Sequence, residues 1–121
     1  MEILNEIVKR FGFKTKIYVA SRDCPTDLLK NERNIYQCKK LGCDRYLSGQ
    51  GGHLYNDEEM YKENGIEIEY LDFEPTPYRQ YHKKTFIPNL SVLDYIFNEG
   101  YKIPKEWEEK EAKRWVKKLQ P

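Results

Sequence analysis

The fold is decided by the stretch Arg45-Tyr-Leu-Ser-Gly-Gln-Gly-Gly-His-Leu-Tyr-Asn-Asp57. A short apolar run leads into a turn with three glycines and a helical pattern follows, which predicts a strand, a tight turn and a helix. Backbone amides at such a turn can converge on an anion, and glycine lets the backbone approach it closely. A tight connection that needs glycine for positive φ explains the same glycines without a ligand. The spacing matches neither a dinucleotide fingerprint nor a P-loop.

Helices and strands alternate along the rest of the chain. Apolar stripes and capping residues predict helices over about 2–11, 27–40, 57–64 and 91–99, and runs of β-formers predict strands over 15–20, 45–48 and 66–73. Such alternation is typical of βαβ units and a parallel sheet. We therefore predict an α/β domain over residues 1–103. It is a small three-layer domain with a short, mostly parallel three-stranded sheet flanked by helices.

Two finer expectations concern the apolar stripes. The helix over 91–99 is predicted to turn Phe97 toward the core, and the helix over 2–11 is predicted to bury Ile3 and end at Gly12. Residues 104–121 carry a Trp/Leu stripe among charged residues. This pattern predicts a charged C-terminal amphipathic helix that packs on or beside the domain, although the same stripe would also suit a partner.

Composition bounds the class of protein. The chain has 121 residues, the length of one domain, and its 14% aromatic residues exclude a disordered chain. A net charge of +1 gives no electrostatic reason to expect nucleic acid, even though residues 78–84 contain aromatic and lysine side chains. No leader peptide or apolar membrane span is visible, so we expect a cytoplasmic protein without a membrane partner.

The three cysteines, Cys24, Cys38 and Cys43, are odd in number and form no CxxC pair. They predict neither a disulfide framework nor a structural zinc site. No metal site is predicted, and no motif identifies a cofactor.

Ligands of parallel sheets bind beyond the carboxyl ends of the strands. Ser48 and Asp72 follow two predicted strands at that edge and are the catalytic candidates. Asp72 would act as a base or bind a hydroxyl, or is only a turn residue before Pro75. Ser48 as a nucleophile needs a base such as His53, and a polar ligand contact is the simpler interpretation.

Further ligand-binding candidates follow from the residue types. Gly49, Gly51 and Gly52 would form the cradle for the ligand. Asp57 would contact the ligand or serve only as a helix N-cap. Arg33 would pair with an anionic ligand or with a carboxylate on the helix surface.

Several blocks run in a fixed order across residues 12–100. They are Tyr46-Leu-Ser-Gly-Gln-Gly-Gly52 with Tyr55 and Asp57, Gly65-Ile-Glu-Ile-Glu-Tyr70 with Asp72-Phe73, Pro77-Tyr78 with Gln80, and Phe86-Ile-Pro-Asn-Leu-Ser-Val-Leu-Asp94 with Phe97-Asn98 and Gly100. Together they resemble the WbqC-like family. The resemblance adds Tyr55, Tyr78 and Gln80 to the ligand-binding candidates.

What the resemblance implies is group transfer. Members of the family sit among genes for O-antigen and other surface-glycan biosynthesis. The implied activity is transfer of an acyl or aminoacyl group onto an amino-sugar or nucleotide-sugar precursor, with a small-molecule donor or nucleotide sugar as the ligand.

The chain also departs from the family pattern. Family members are about twice this length and begin with a block resembling His-Gln-Pro-x-Tyr-Leu-Pro, so this chain resembles their C-terminal half. The alternative to an enzyme-like domain is therefore a non-catalytic or split-enzyme subunit that binds a protein partner, or a homodimer. Asn34 and Gln37 stand where the family is apolar, so that helix face is expected to meet water. Gln50 replaces a proline.

Overall fold

A computed structural model describes residues 1–81, 84–108 and 116–118. The described residues form five α-helices, α1 (Glu2–Phe11), α2 (Ala20–Asp23), α3 (Lys30–Lys40), α4 (Glu58–Glu63) and α5 (Val92–Glu99). Their strands are β1 (Arg45–Ser48), β2 (Glu67–Leu71) and β3 (Val116–Lys118), and 3₁₀ helices cover Gln50–Leu54 and Lys105–Trp107. The chain divides into two compact units, one with Tyr18–Phe73 and 116–118, the other with Met1–Ile17 and the described residues of 74–108.

The sheet belongs to the unit with Tyr18–Phe73. Strands β1 and β2 are parallel, with Arg45 opposite Glu67 and Ser48 opposite Tyr70. Strand β3 pairs antiparallel with the other edge of β2. The 3₁₀ helix Gln50–Leu54 and α4 connect the two parallel strands, because parallel strands need a crossover. Both strands end at the same edge, where Ser48 and Tyr70 lie side by side.

The mixed helix–strand order and the parallel pair support the α/β class, but the first predicted strand is wrong. Residues 13–19 have no regular structure, and α2 begins at Ala20. The carboxylate of Asp23 accepts a hydrogen bond from the Val19 N–H at 2.7 Å, which fixes the end of this β-former run to a helical turn. The parallel part of the sheet has two strands, so a mostly parallel three-stranded sheet is not confirmed.

The core of this unit joins α3, α4 and β2. Its buried members are Ile35, Cys38, Tyr61, Ile66, Ile68 and Tyr70. Ile68 and Tyr70 are buried while Glu67 and Leu71 are exposed, which is the period of two expected for a strand with one face on a core. Each fully buried side chain of this size contributes about 1.5–3 kcal/mol. The core therefore fixes β2, and with it Tyr70, at the sheet edge.

Asn34 corrects the expectation that its helix face meets water. Its side chain is partly buried, and its Nδ2 donates hydrogen bonds to the hydroxyls of Tyr46 at 3.2 Å and Tyr61 at 3.1 Å. The rings of these two tyrosines lie 5.3 Å apart. A polar residue at an apolar position of the family pattern is thus matched to a polar pair in the core.

The unit with Met1–Ile17 and 74–108 is held together by aromatic rings. The ring of Phe11, which is buried at the end of α1, lies 5.4 Å from Phe13, 5.4 Å from Tyr101 and 5.7 Å from Trp107. As predicted, α1 ends at Gly12, which has φ 75° and the paired hydrogen bonds of a Schellman motif. Trp107, the first residue of the predicted Trp/Leu stripe, thus lies against Phe11 at the end of α1.

Two expectations about this unit are wrong. Phe97 is 86% exposed and Ile3 is 69% exposed, so neither is in the core. Helix α5 hydrogen-bonds the preceding loop through Asp94 and Asn98, one turn apart, and this arrangement leaves Phe97 outside.

The predicted helix over 104–121 is absent where the structure describes it. Lys105–Trp107 form a 3₁₀ helix and Val116–Lys118 form a strand. Residues 109–115 and 119–121 lie outside the described residues.

Candidate functional site

A cluster of polar side chains lies at the carboxyl end of the parallel pair. Ser48, the last residue of β1, is buried; its hydroxyl donates to the Gly49 carbonyl at 3.1 Å and accepts from Asn56 Nδ2 at 3.0 Å. Ser48 therefore holds the turn closed against the segment that leads into α4. Its assignment as a catalytic residue stays a prediction, and these two hydrogen bonds favour a structural role.

Tyr70 lies opposite Ser48 and is 1% exposed. Its hydroxyl donates to Glu58 Oε1 at 2.8 Å, and Asn56 Nδ2 lies 3.5 Å from the same hydroxyl. Burial raises the pKa of Tyr70 above its usual value, and the Glu58 carboxylate raises it further because it accepts a bond from the neutral hydroxyl. Tyr70 is thus held as a neutral donor that fixes the Glu58 carboxylate.

His53 covers this cluster. Its imidazole stacks on the Tyr70 ring with 3.5 Å between ring centroids and 19° between planes. Its Nδ1 lies 3.7 Å from Glu58 Oε1, and 48% of its side chain is exposed. Among the described residues, the geometry pairs His53 with Glu58 and not with Ser48. The hydrogen bonds of the Ser48 hydroxyl in the described residues go to Gly49 and Asn56, so they do not show the Ser48–His53 pair that a nucleophilic serine would need.

The amide of Asn56 links both sides of the cluster. Its Nδ2 faces Ser48 and Tyr70, while its buried Oδ1 has no hydrogen-bond partner among the described residues. An unpaired buried acceptor costs about 1–3 kcal/mol. A buried acceptor of this kind needs a physical explanation, and a role in a functional site is one such explanation.

The structure requires glycine at only one of the three glycine positions of the turn. A methyl group at Gly52 would collide with Ser48 Oγ and lie 2.5 Å from Asn56 Nδ2. At Gly49 and Gly51 the space for a methyl group is open, and neither residue has positive φ. The interpretation that this connection needs positive φ is thus wrong, and the fold explains Gly52 alone. At Gly49 and Gly51 the backbone is exposed, and neither steric contact nor backbone conformation requires glycine.

The remaining candidates of this unit surround the turn. Asp57 caps α4 by accepting a bond from the Met60 N–H at 3.1 Å, a role worth about 1 kcal/mol. Tyr55 is exposed, and its carbonyl accepts from Asn31 Nδ2 at 3.1 Å. Asp72 follows β2 directly and is partly buried, whereas Arg33 lies exposed on α3. Asp57 thus has a structural function that accounts for it.

Gln50 fastens the turn to the end of β2. Its Nε2 donates to the Leu71 carbonyl at 2.8 Å, directly before Asp72. A proline at this position would provide no such donor. The replacement noted in the sequence therefore adds a link between the two sides of the candidate site.

Tyr78 and Gln80 belong to the other unit, where they hold a loop on α5. The Tyr78 hydroxyl donates to Asp94 Oδ2 at 2.6 Å, and burial, followed by this bond, raises the pKa of Tyr78. Gln80 Nε2 donates to the Ile87 carbonyl and to Asp94, and Gln80 Oε1 accepts from the Ile87 N–H at 2.8 Å. Both amide atoms of Gln80 are thus used within the protein, which supports a structural role for this pair.

The sequence missed three members of the cluster: Asn56, Glu58 and Tyr70. In the sequence Asn56 is only the neighbour of the candidate Asp57, and Tyr70 is only one residue of a predicted strand. Their proximity depends on strand register and on how the 3₁₀ helix leads into α4, which residue spacing does not reveal. The signal available was the polar density of residues 53–58.

The described residues contain no group of three or more His, Cys, Asp or Glu side chains arranged to hold a metal ion. No helix in the described part of the chain is long and apolar enough to cross a membrane.

The fold and site define an α/β protein with a glycine turn and a polar cluster at the end of a parallel strand pair. The chain belongs to the WbqC-like protein family, whose sequence model matches residues 1–106. It is 31% identical over 104 residues to the uncharacterized protein Rv1507c of Mycobacterium tuberculosis. The match covers 84% of this chain and 44% of that relative, so the chain spans less than half the relative's length. No solved structure matches the chain.

Proposed function

We propose that this domain binds a nucleotide-sugar or amino-sugar precursor at the turn after β1. In this proposal it serves acyl or aminoacyl transfer in surface-glycan biosynthesis of the O-antigen type, in the cytoplasm. The proposal rests on family membership and on a turn at the strand edge where ligands of parallel sheets bind.

The observation that carries the proposal is the pair of exposed glycines, Gly49 and Gly51. Neither backbone strain nor a neighbouring atom requires glycine there. A ligand that must lie against the peptide backbone supplies the missing requirement, because a side chain would keep it away. Gly52 stabilises the same turn, because the absence of a side chain there leaves room for Ser48 and Asn56 to pack against its backbone.

Asp72 is the proposed hydroxyl-binding carboxylate at this edge. It follows the residue whose carbonyl holds the Gln50 side chain, so turn and carboxylate are fastened at adjacent positions of the chain. Sugar hydroxyls and amines suit carboxylate acceptors. In this proposal Ser48 holds the turn, and Tyr55 adds an exposed aromatic ring beside it.

A titration of the isotope-labelled protein with UDP-N-acetylglucosamine, followed by backbone amide spectra, tests the proposal. We expect the amides of Gly49, Gly51 and His53 to shift most. The titration is repeated with a GDP sugar and a dTDP sugar. A folded protein whose spectrum is unchanged by all three would show that the proposal is wrong.

The second candidate function is a non-catalytic or split-enzyme subunit. The exposed aromatic side chain of Phe97 on α5 favours it, because aromatic residues are enriched in protein interfaces. The test mixes this chain with the N-terminal half of a full-length family member and measures complex formation by analytical ultracentrifugation. A complex that Phe97→Ser abolishes supports this function, and independent sedimentation of the two polypeptides contradicts it.

A further inference from the structure

His53 lies on the proposed ligand surface and has no part in holding the turn together. One face of its ring rests on Tyr70, and nearly half of its side chain is exposed. It lies two residues beyond Gly51, on the 3₁₀ helix that forms the turn. The residue is therefore both fixed in orientation and accessible to a ligand on the turn.

The nitrogen atoms of His53 are unequal. Nδ1 faces Glu58 Oε1 at 3.7 Å, and that oxygen already accepts the Tyr70 hydroxyl at 2.8 Å. A distance of this size in the absence of ligand shortens to a hydrogen bond with a small movement of either side chain. Nε2 is separated from Nδ1 by one ring carbon, and its in-plane bonding direction diverges from that of Nδ1. The charged or titratable groups that face the imidazole are Glu58 from α4 and Tyr70 from β2.

We propose that His53 is the proton-accepting group of this site, with Nε2 as the base and Glu58 as the positioning residue. This inference rests on the proposed function. The ligand group it serves is the amine or hydroxyl of the acceptor sugar. The Glu58 carboxylate accepts a hydrogen bond from Nδ1–H, so the imidazole is held in the tautomer whose Nε2 carries the lone pair.

The step balances with an activated acyl or aminoacyl ester as the donor. The acceptor amine attacks the carbonyl carbon of the ester, and a carbon–nitrogen bond forms. The bond from that carbon to the leaving group breaks, and the leaving group takes the electron pair. The amine proton passes to His53 Nε2 and from there to the leaving group, which restores the neutral imidazole.

Nitrogen-15 spectra of the imidazole at a pH where it is neutral test the role of Glu58. We expect His53 in the Nδ1–H tautomer in the native protein and in Glu59→Gln, a control on the exposed neighbour of Glu58. In Glu58→Gln the preference weakens, and in Glu58→Ala it reverts to the Nε2–H form that free histidine favours. A native protein in the Nε2–H form would overturn the inference even if the variants fail to fold.

UDP-N-acetylglucosamine then tests whether Nε2 faces the ligand. We expect the Nε2 resonance of His53 to move when backbone amides of the turn report binding. Binding reported by those amides with an unchanged Nε2 resonance overturns this inference and leaves the proposed function standing. No amide response to UDP-N-acetylglucosamine, to the GDP sugar or to the dTDP sugar overturns both.

Discussion

Gly52 differs from Gly49 and Gly51 in what an added methyl group would meet. At Gly52 the methyl would push against Ser48 Oγ and Asn56 Nδ2, the two atoms that close the turn. At the other two positions it would meet open space. Three glycines that look equivalent in the sequence therefore separate into one that the fold requires and two that it does not require.

Substitution with alanine distinguishes these two classes. Gly49→Ala and Gly51→Ala are expected to keep or raise the free energy of unfolding, by up to about 1 kcal/mol, because alanine restricts the unfolded chain. Gly52→Ala is expected to lower it by about 1–3 kcal/mol through overpacking. Urea unfolding measures all three. A loss of stability in Gly49→Ala equal to that in Gly52→Ala would contradict this assignment.

Asn34 supports a second prediction at this scale. Asn34→Leu removes the donor shared by Tyr46 and Tyr61, and Tyr61 is fully buried. We expect a loss of about 1–3 kcal/mol in the free energy of unfolding, because the hydroxyls of one fully buried and one partly buried tyrosine lose a partner. Gln37→Leu, at the other polar position of the same helix, is the control and should change stability far less. Equal stability of the two leucine variants would refute the role of Asn34.

Among the elements, the loop before α5 and that helix form a unit built on side-chain hydrogen bonds. Asp94 accepts from Tyr78 and Gln80, and Asn98 accepts from the Tyr81 N–H. The residues that carry the family resemblance in this region are therefore explained by local structure. A loop with no regular hydrogen-bond ladder is held by four side chains instead.

Gln80→Glu tests this arrangement. Glutamate lacks the amide donor for the Ile87 carbonyl and places a second carboxylate beside Asp94, so we expect a loss of about 1–3 kcal/mol at neutral pH. Gln50→Glu is the matched control, because it loses one exposed bond to Leu71. Guanidinium unfolding compares the two variants. If Gln50→Glu lowered the free energy of unfolding as much as Gln80→Glu, the hydrogen bonds of Gln80 would not be what holds this loop on α5.

The elements differ in whether local sequence signals are enough to predict them. Helix α1 could be predicted because its periodicity and the Gly12 signal are both local. The β-formers over 15–20 predict a strand that the structure lacks, because the hydrogen bond from the Val19 N–H to Asp23 favours a helical turn at the end of this segment. Ser48 and the turn were found from the sequence. The partners Tyr70, Glu58 and Asn56 were not, since their meeting depends on the register of β1 with β2.

On the scale of the whole molecule, burial raises the pKa values of five tyrosines, which therefore lose their protons at a higher pH than a free tyrosine. They are Tyr46, Tyr61, Tyr70, Tyr78 and Tyr95. A raised pKa means that the folded protein keeps the proton while the unfolded chain has released it. The stability contributed by these groups is complete below about pH 10 and is lost as pH rises through the folded-state values.

We therefore expect the free energy of unfolding to fall steeply above about pH 10, with a smaller slope in Tyr61→Phe than in the native protein. Tyr55→Phe, which changes an exposed tyrosine, is the control. Urea unfolding across alkaline pH gives the slopes. A Tyr61→Phe slope identical to the native one would show that burial of this hydroxyl does not govern alkaline unfolding.

The central claim is that the turn after β1 binds a sugar precursor through backbone left bare at Gly49 and Gly51. Calorimetric titration of UDP-N-acetylglucosamine into the native protein and into Gly51→Ala tests it most directly. We predict binding to the native protein and a loss of affinity of about tenfold or more in Gly51→Ala, equivalent to about 1.4 kcal/mol, with the stability of the variant preserved. Equal affinity in the two proteins would contradict the claim.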